Sequence, residues 1–105
     1  MEKILKSGIN KGNRRIWIEG SILIQNHWHN GQRFNKRIEG GILTLISESK
    51  GQHKVAGTAT RPIIDLNGKY LNEFMGDHTH FAVQFFDVST FVKLILIHPC
   101  NEGGS

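Results

Sequence analysis

Positive charge is the first chemistry this chain offers. Lys3, Lys6, Lys11, Arg14, Arg15, Arg33, Lys36 and Arg37 are eight of its thirteen lysines and arginines, gathered in the first 37 positions. Against nine aspartates and glutamates the chain carries a net charge of +4. A cluster of this kind suits a polyanion, because each cation set against a phosphate releases a condensed counterion. Taken singly, any one of these residues is a solvated surface group. Taken together, they make a nucleic-acid-facing patch the main expectation.

The histidines are the second candidate. His27-Trp28-His29 and His78-Thr79-His80 each place two imidazoles two residues apart, and on a strand both rings of such a pair share a side. Four of them brought together could hold zinc or nickel. The spacing is short, however, both pairs fall in expected turns, and no cysteine joins them, so His27, His29, His78 and His80 read as polar loop residues. No metal and no cofactor is expected. Nor does a catalytic constellation emerge. Ser21 follows Ile18-Glu19-Gly20 and reads as a helix cap, without the Gly-x-Ser-x-Gly elbow of a hydrolase. Gly8 and Gly12 lack the Lys-Ser/Thr of a phosphate loop. Cys100, beside a proline, has no neighbour in sequence that would activate it. A non-enzymatic protein is expected. Two aromatics complete the set: Trp17 faces away from Ile16 and Ile18 and reads first as a core or interface aromatic, with partner binding as the alternative, whereas Trp28 is expected to plug the barrel end.

Short elements must position these residues. Residues 3–6 suit a first strand, and residues 7–13, with Gly8, Gly12 and two asparagines, suit a turn. Ile16 and Ile18 alternate with Arg15, Trp17 and Glu19, the period of a half-buried strand. Gly20 ends that strand, Ser21 caps a helix over residues 21–26, and Asn30-Gly31 closes it. Residues 33–39 and 42–46 then form a hairpin about Gly40-Gly41. Further on, Arg61-Pro62 leads into a strand over residues 63–66, a helix is expected over residues 69–75, and Phe81, Val83 and Phe85 line one face of a strand. The apolar run at residues 91–97 reads as a buried strand.

The second half resembles the first. Gly20 set over Gly68 aligns Ile16-Trp17-Ile18-Glu19-Gly20 with Ile64-Asp65-Leu66-Asn67-Gly68 and Leu23 with Leu71. After one residue of slippage Phe34 lies over Phe81 and Ile38 over Phe85. The expected organisation is one domain made of a repeat over residues 3–46, a connector over 47–52, a second repeat over 53–97 and a flexible tail at 101–105. Each repeat reads β-β-α-β-β with one short helix. Neither half closes a core alone, so the two fuse into a mainly β small barrel. The second copy is the more apolar, which suggests that it packs while the first meets a partner.

A chain of 105 residues buries such a core without disulfides or metal. Its single cysteine cannot form an internal bridge, so a reducing cytoplasm is expected. No apolar run approaches the roughly 18 residues that span a bilayer, and the N-terminus lacks the long apolar core of a signal peptide. No membrane partner is expected.

Arg15-Ile16-Trp17-Ile18, a short helix, the Asn30-Gly31 turn, Arg33-Phe34 and a closing hairpin resemble the swapped-hairpin module of the AbrB, SpoVT and MazE family. Ile18-Glu19-Gly20-Ser21-Ile22-Leu23 is closest to its SymE-type branch, where glycine replaces the proline usual before the helix. The resemblance implies a barrel of two interlocked halves, here within one chain. It also implies DNA binding by Lys6, Lys11, Arg14 and Arg15 near the first strands, with Arg33 after the helix. The Pro-Gly-Asp usual in the family's turn reads Asn30-Gly31-Gln32 here, and the second copy has His78-Thr79-His80. Unequal halves lose the palindromic readout of a true dimer, so general DNA affinity is expected ahead of operator recognition. The expectation is a DNA-binding regulator, antitoxin-like or nucleoid-associated protein. Phosphate contacts would come from Lys6, Lys11, Arg14, Arg15, Arg33, Lys36 and Arg37, and any base preference from Arg14, Arg15 or Arg33. The rival expectation is a phage or mobile-element protein-binding module that inhibits a nucleic-acid-handling complex, or a DNA-reading domain beside a methyltransferase. Self-association through an exposed strand edge of the Phe-rich second copy is open as well.

Overall fold

Alternating apolar residues, interrupted by glycines, set up the architecture. In the computed structural model, which describes residues 2–101, the chain begins β1 (Glu2–Lys6), β2 (Gly8–Asn10), β3 (Asn13–Glu19), α1 (Ser21–Gln25), β4 (Arg33–Glu39) and β5 (Ile42–Ser47). It continues β6 (His53–Lys54), β7 (Ala56–Gly57), β8 (Pro62–Asn67), α2 (Lys69–Met75), β9 (His80–Asp87) and β10 (Lys93–Cys100). The same order of elements is thus met twice. Of the flexible tail expected at 101–105, residues 102–105 lie outside the described residues.

The strands form two antiparallel sheets. The larger runs β1-β9-β10-β5-β4-β6 and the smaller β2-β3-β8-β7. Each order passes through equivalent elements from either end. In the larger sheet β1 and β6 are the edges, β9 and β4 lie next to them, and β10 and β5 meet in the middle. Register follows the same rule: Gly8 faces Arg15 where Ala56 faces Ile63, 48 positions on. Leu5 faces Phe81, and His53 faces Phe34.

No barrel closes, contrary to the sequence expectation. The chain changes sheets at a single residue in each half, Ser7 and Val55, and the β6 and β7 strands are too short to carry a ladder from one sheet to the other. At these corners Ser7 N–H donates to Thr79 O and Val55 N–H donates to Gln32 O, both at 2.9 Å. The switch also splits the expected first strand and its turn, so each half has three strands ahead of its helix rather than two. The first strand of each half then crosses to the other: β1 pairs with β9, and β6 with β4.

The core lies between the sheets. Ile16, Ile18, Ile64 and Leu66 point inward from the smaller sheet, and Leu43, Leu45, Phe81, Val83, Ile95 and Ile97 from the larger. Leu23, Leu71 and Met75 reach in from the helices. Trp28 is fully buried within this core, edge-on to Phe34 with centroids 6.0 Å apart, rather than plugging a barrel end. Full burial of each such side chain contributes about 1.5–3 kcal/mol, which holds helices too short to stand alone. Both helices start from the aligned glycines. Gly20 (φ 81) and Gly68 (φ 137) are the N-caps, in backbone geometry that suits glycine, and Ser21, expected as a cap, is instead the first helical residue. The strand expected to begin at Phe91 begins at Lys93. Phe91 sits in the loop before it and is 87% exposed.

Candidate nucleic-acid interface

Consecutive residues on a strand face opposite ways, and β3 divides the basic cluster accordingly. Arg14 turns toward the fold. Its guanidinium donates to Ser7 Oγ at 2.8 Å and to Gly76 O at 3.2 Å, and its backbone N–H donates to Asn72 Oδ1, tying the β1–β2 corner to α2. Arg15 lies on the outer face of the smaller sheet and grips Asp65 with two hydrogen bonds of 2.8 and 2.9 Å. The hydrogen bond from Arg15 is the main reason that the Asp65 carboxyl titrates below its ordinary 3.8. The same bond raises the guanidinium pKa. A carboxylate therefore cancels the charge that this arginine would offer a phosphate.

Trp17 belongs to the same outer face. Arg15 lies over its ring, 4.3 Å from the centroid. Glu19 beside it is held below its ordinary 4.5 first by a hydrogen bond from Trp17 and then by one from Arg61. The indole is half-buried within this polar network and does not stand free. Lys6 ends β1, and Lys11 occupies the tip of the β2–β3 hairpin at φ 53. From β1 to β4 the larger sheet takes four strand spacings, roughly 19 Å, so Lys6 cannot share a patch with the basic residues of β4. The seven cations expected on one surface thus fall into separate groups: Lys6 and Arg14 line one shallow pocket with Ser7, Ile9 and Thr79, apart from the basic residues of β4.

The basic residues of β4 divide as well. Lys36 points to the inner side, its ammonium 3.9 Å from the centroid of the Tyr70 ring. Arg33 and Arg37 point to the outer face of the larger sheet. There Arg33 stands directly opposite Lys54 of β6. The Arg33 guanidinium donates to Gly51 O at 3.1 Å, and Lys50 occupies the same turn. Asn35 fastens that turn to β4 by accepting a hydrogen bond from Gln52 N–H at 2.9 Å. Among the described residues none of Arg33, Arg37, Lys50 and Lys54 forms an ion pair. Two of these four, Lys50 and Lys54, escaped the sequence reading. Lys54 is the counterpart of Lys6 in the aligned halves, and its place beside Arg33 follows only once the first strands are seen to exchange.

The histidine pairs do not converge. His27 and His29 line an open cleft of about 570 Å³ together with Asp87 and Phe91. His78 Nδ1 lies 3.2 Å from Met75 O, and His80 stands opposite Lys6 on β9. No group of three or more His, Cys, Asp or Glu is arranged to hold a metal ion among the described residues. Burial pushes the Cys100 thiol up, away from a reactive thiolate. No helix among the described residues is long and apolar enough to cross a membrane. Comparison of the chain with protein-family models, with curated proteins and with solved structures finds no match.

Proposed function

We propose that this protein is a non-enzymatic nucleic-acid-binding module that holds duplex DNA by its phosphates along β4 and β6, through Arg33, Lys50 and Lys54. One observation carries the reading: Arg33 and Lys54 face each other across neighbouring strands with no carboxylate paired to either. Like charges set directly opposite destabilise a sheet, so a fold that keeps them gains when a polyanion lies across both. The exchange of β1 and β6 between halves supports reading the chain as two fused repeats of the swapped-hairpin kind, in two sheets rather than a closed barrel. The phosphate strip then spans the halves, with Arg33 from one and Lys54 from the other.

The test is titration of a labelled duplex with the full chain at two salt concentrations. Three phosphate contacts predict that affinity falls about 40-fold between roughly 50 and 200 mM salt. Arg33→Ala and Lys54→Ala should each weaken binding and lower the salt slope by about 1, while Lys3→Ala, on the distant β1 strand, should leave the slope unchanged. Absence of binding at the lower salt concentration sinks the reading. The rival, a protein partner, is favoured by the β9–β10 loop, where Val88 and Phe91 are 60% and 87% exposed. Capture of a partner from nuclease-treated lysate, lost in Phe91→Ala, would be its signature, and capture indifferent to that change would count against it.

A further inference from the structure

The two halves differ in how far their equivalent strands are covered. β1 runs along β9 for five residues, from His80 to Gln84, but β6 covers β4 only at Arg33 and Phe34. Asn35 is engaged by Gln52 through its side chain, and beyond it Lys36, Arg37, Ile38 and Glu39 have a strand on one side only. The direction of their backbone groups is fixed. Glu48 N–H donates to Arg33 O on the β5 side, and Val55 N–H donates to Gln32 O on the other, so by alternation the amides of Lys36 and Ile38 face the open edge. That edge is a regular strand with no proline or bulge, and Ile38 on it is 43% exposed. Of the devices that blunt an edge it carries only charge: Lys36, whose ammonium is drawn inward over Tyr70, and Arg37 and Glu39 on the outer face, so a partner strand must complement those charges.

We infer that this open stretch of β4 pairs, antiparallel, with the same stretch of a second copy of the chain about a twofold axis through Ile38. The sequence selects that register. With Ile38 against Ile38 of the other copy, Arg37 stands opposite Glu39 and Glu39 opposite Arg37, which gives two reciprocal ion pairs on one face. On the other face Ile38 meets its twin, and Lys36 meets Gly40, which offers no side chain to oppose it. An axis through Arg37 would set arginine against arginine, and one through Glu39 would set glutamate against glutamate, both unfavourable. The central residue also presents its own N–H and C=O to the open side, as a hydrogen-bonded pair requires. Beside the edge, an open groove of about 390 Å³ lined by Ile38, Gly41, Tyr70, Glu73 and Phe74 adds apolar surface to the junction, with one carboxylate at its rim. The larger sheets of two copies become continuous, and the Arg33 and Lys54 positions of both stay on one outer face. The pairing itself needs no nucleic acid, so it stands or falls separately from phosphate binding.

Sedimentation of the full chain without nucleic acid, over a dilution series reaching about 1 mM, tests the inference. A dimer that dissociates on dilution is expected. Arg37→Glu and Glu39→Arg, each made alone, should weaken it by about tenfold or more, since each turns both ion pairs into repulsions. An equimolar mixture of these two variants should recover the dimer, because every cross pair then joins a glutamate to an arginine. Ile38→Pro should give monomers with an unchanged circular dichroism spectrum, as the lost N–H faces the open edge and not β5. A wild-type chain that stays monomeric throughout overturns the proposal. So does a dimer that survives Arg37→Glu and Ile38→Pro, or a mixture that remains monomeric.

Discussion

His53 packs against the Phe34 ring, centroids 5.5 Å apart and planes 29° from parallel, with the Lys36 ammonium nearby. Burial is the main cause that lowers its pKa from the ordinary 6.5, and Lys36 adds to it. The folded state therefore favours the neutral ring. Between the lowered folded value and 6.5 the unfolded chain binds more protons, so stability is full above 6.5 and is lost as pH falls below it. The denaturation midpoint of the wild type should decline from about pH 7 to about pH 5.5, and His53→Phe should flatten that decline. An equal slope in both proteins would remove His53 as its source. Asp65 and Glu19 act in a different window, since their lowered carboxyls forfeit stability only as pH drops below 3.8 and 4.5. At this scale the sequence was legible only in part. That Arg14 and Arg15 must part company follows from their adjacency on a strand. The neutralisation of Arg15 by Asp65 does not, because the partner lies 50 residues away.

Among the elements, β4 over Arg33–Glu39 and α2 over Lys69–Met75 lie where the sequence places them, each bracketed by glycines that stop the pattern. α1 ends one residue sooner than expected, at Gln25, with His27 at φ 64 turning the chain. The exposure of Phe91 was hidden because an apolar run signals burial even where a hairpin loop takes its first residues. The exchange of β1 and β6 could not be read from the residue pattern, and only the family resemblance implied interlocked halves: periodicity reports which face of a strand is buried and never which strand lies beside it. Gly51 shows how closely this exchange is fitted. A Cβ there would sit 2.6 Å from the backbone N, C and O of Phe34. Gly51→Ala must push the turn away from β4 and should cost about 1–3 kcal/mol in urea denaturation. It should also weaken DNA binding, because Gly51 O holds the Arg33 guanidinium. A neutral substitution at Gly51 would mean that the turn is free to move.

For the whole molecule, the crossing of first strands bears on what covalent continuity contributes. Each half lends a strand to the other, and the halves also meet along β3–β8 and β5–β10. The peptide linking them passes through exposed Ser49 and Lys50. Cleaving that bond leaves every strand pairing intact. Two separately made polypeptides, divided between Ser49 and Lys50, should thus be unfolded alone and reassemble on mixing with native circular dichroism. The chain has the makings of a complementation reporter, one in which neither piece can signal until it has received the other's leading strand.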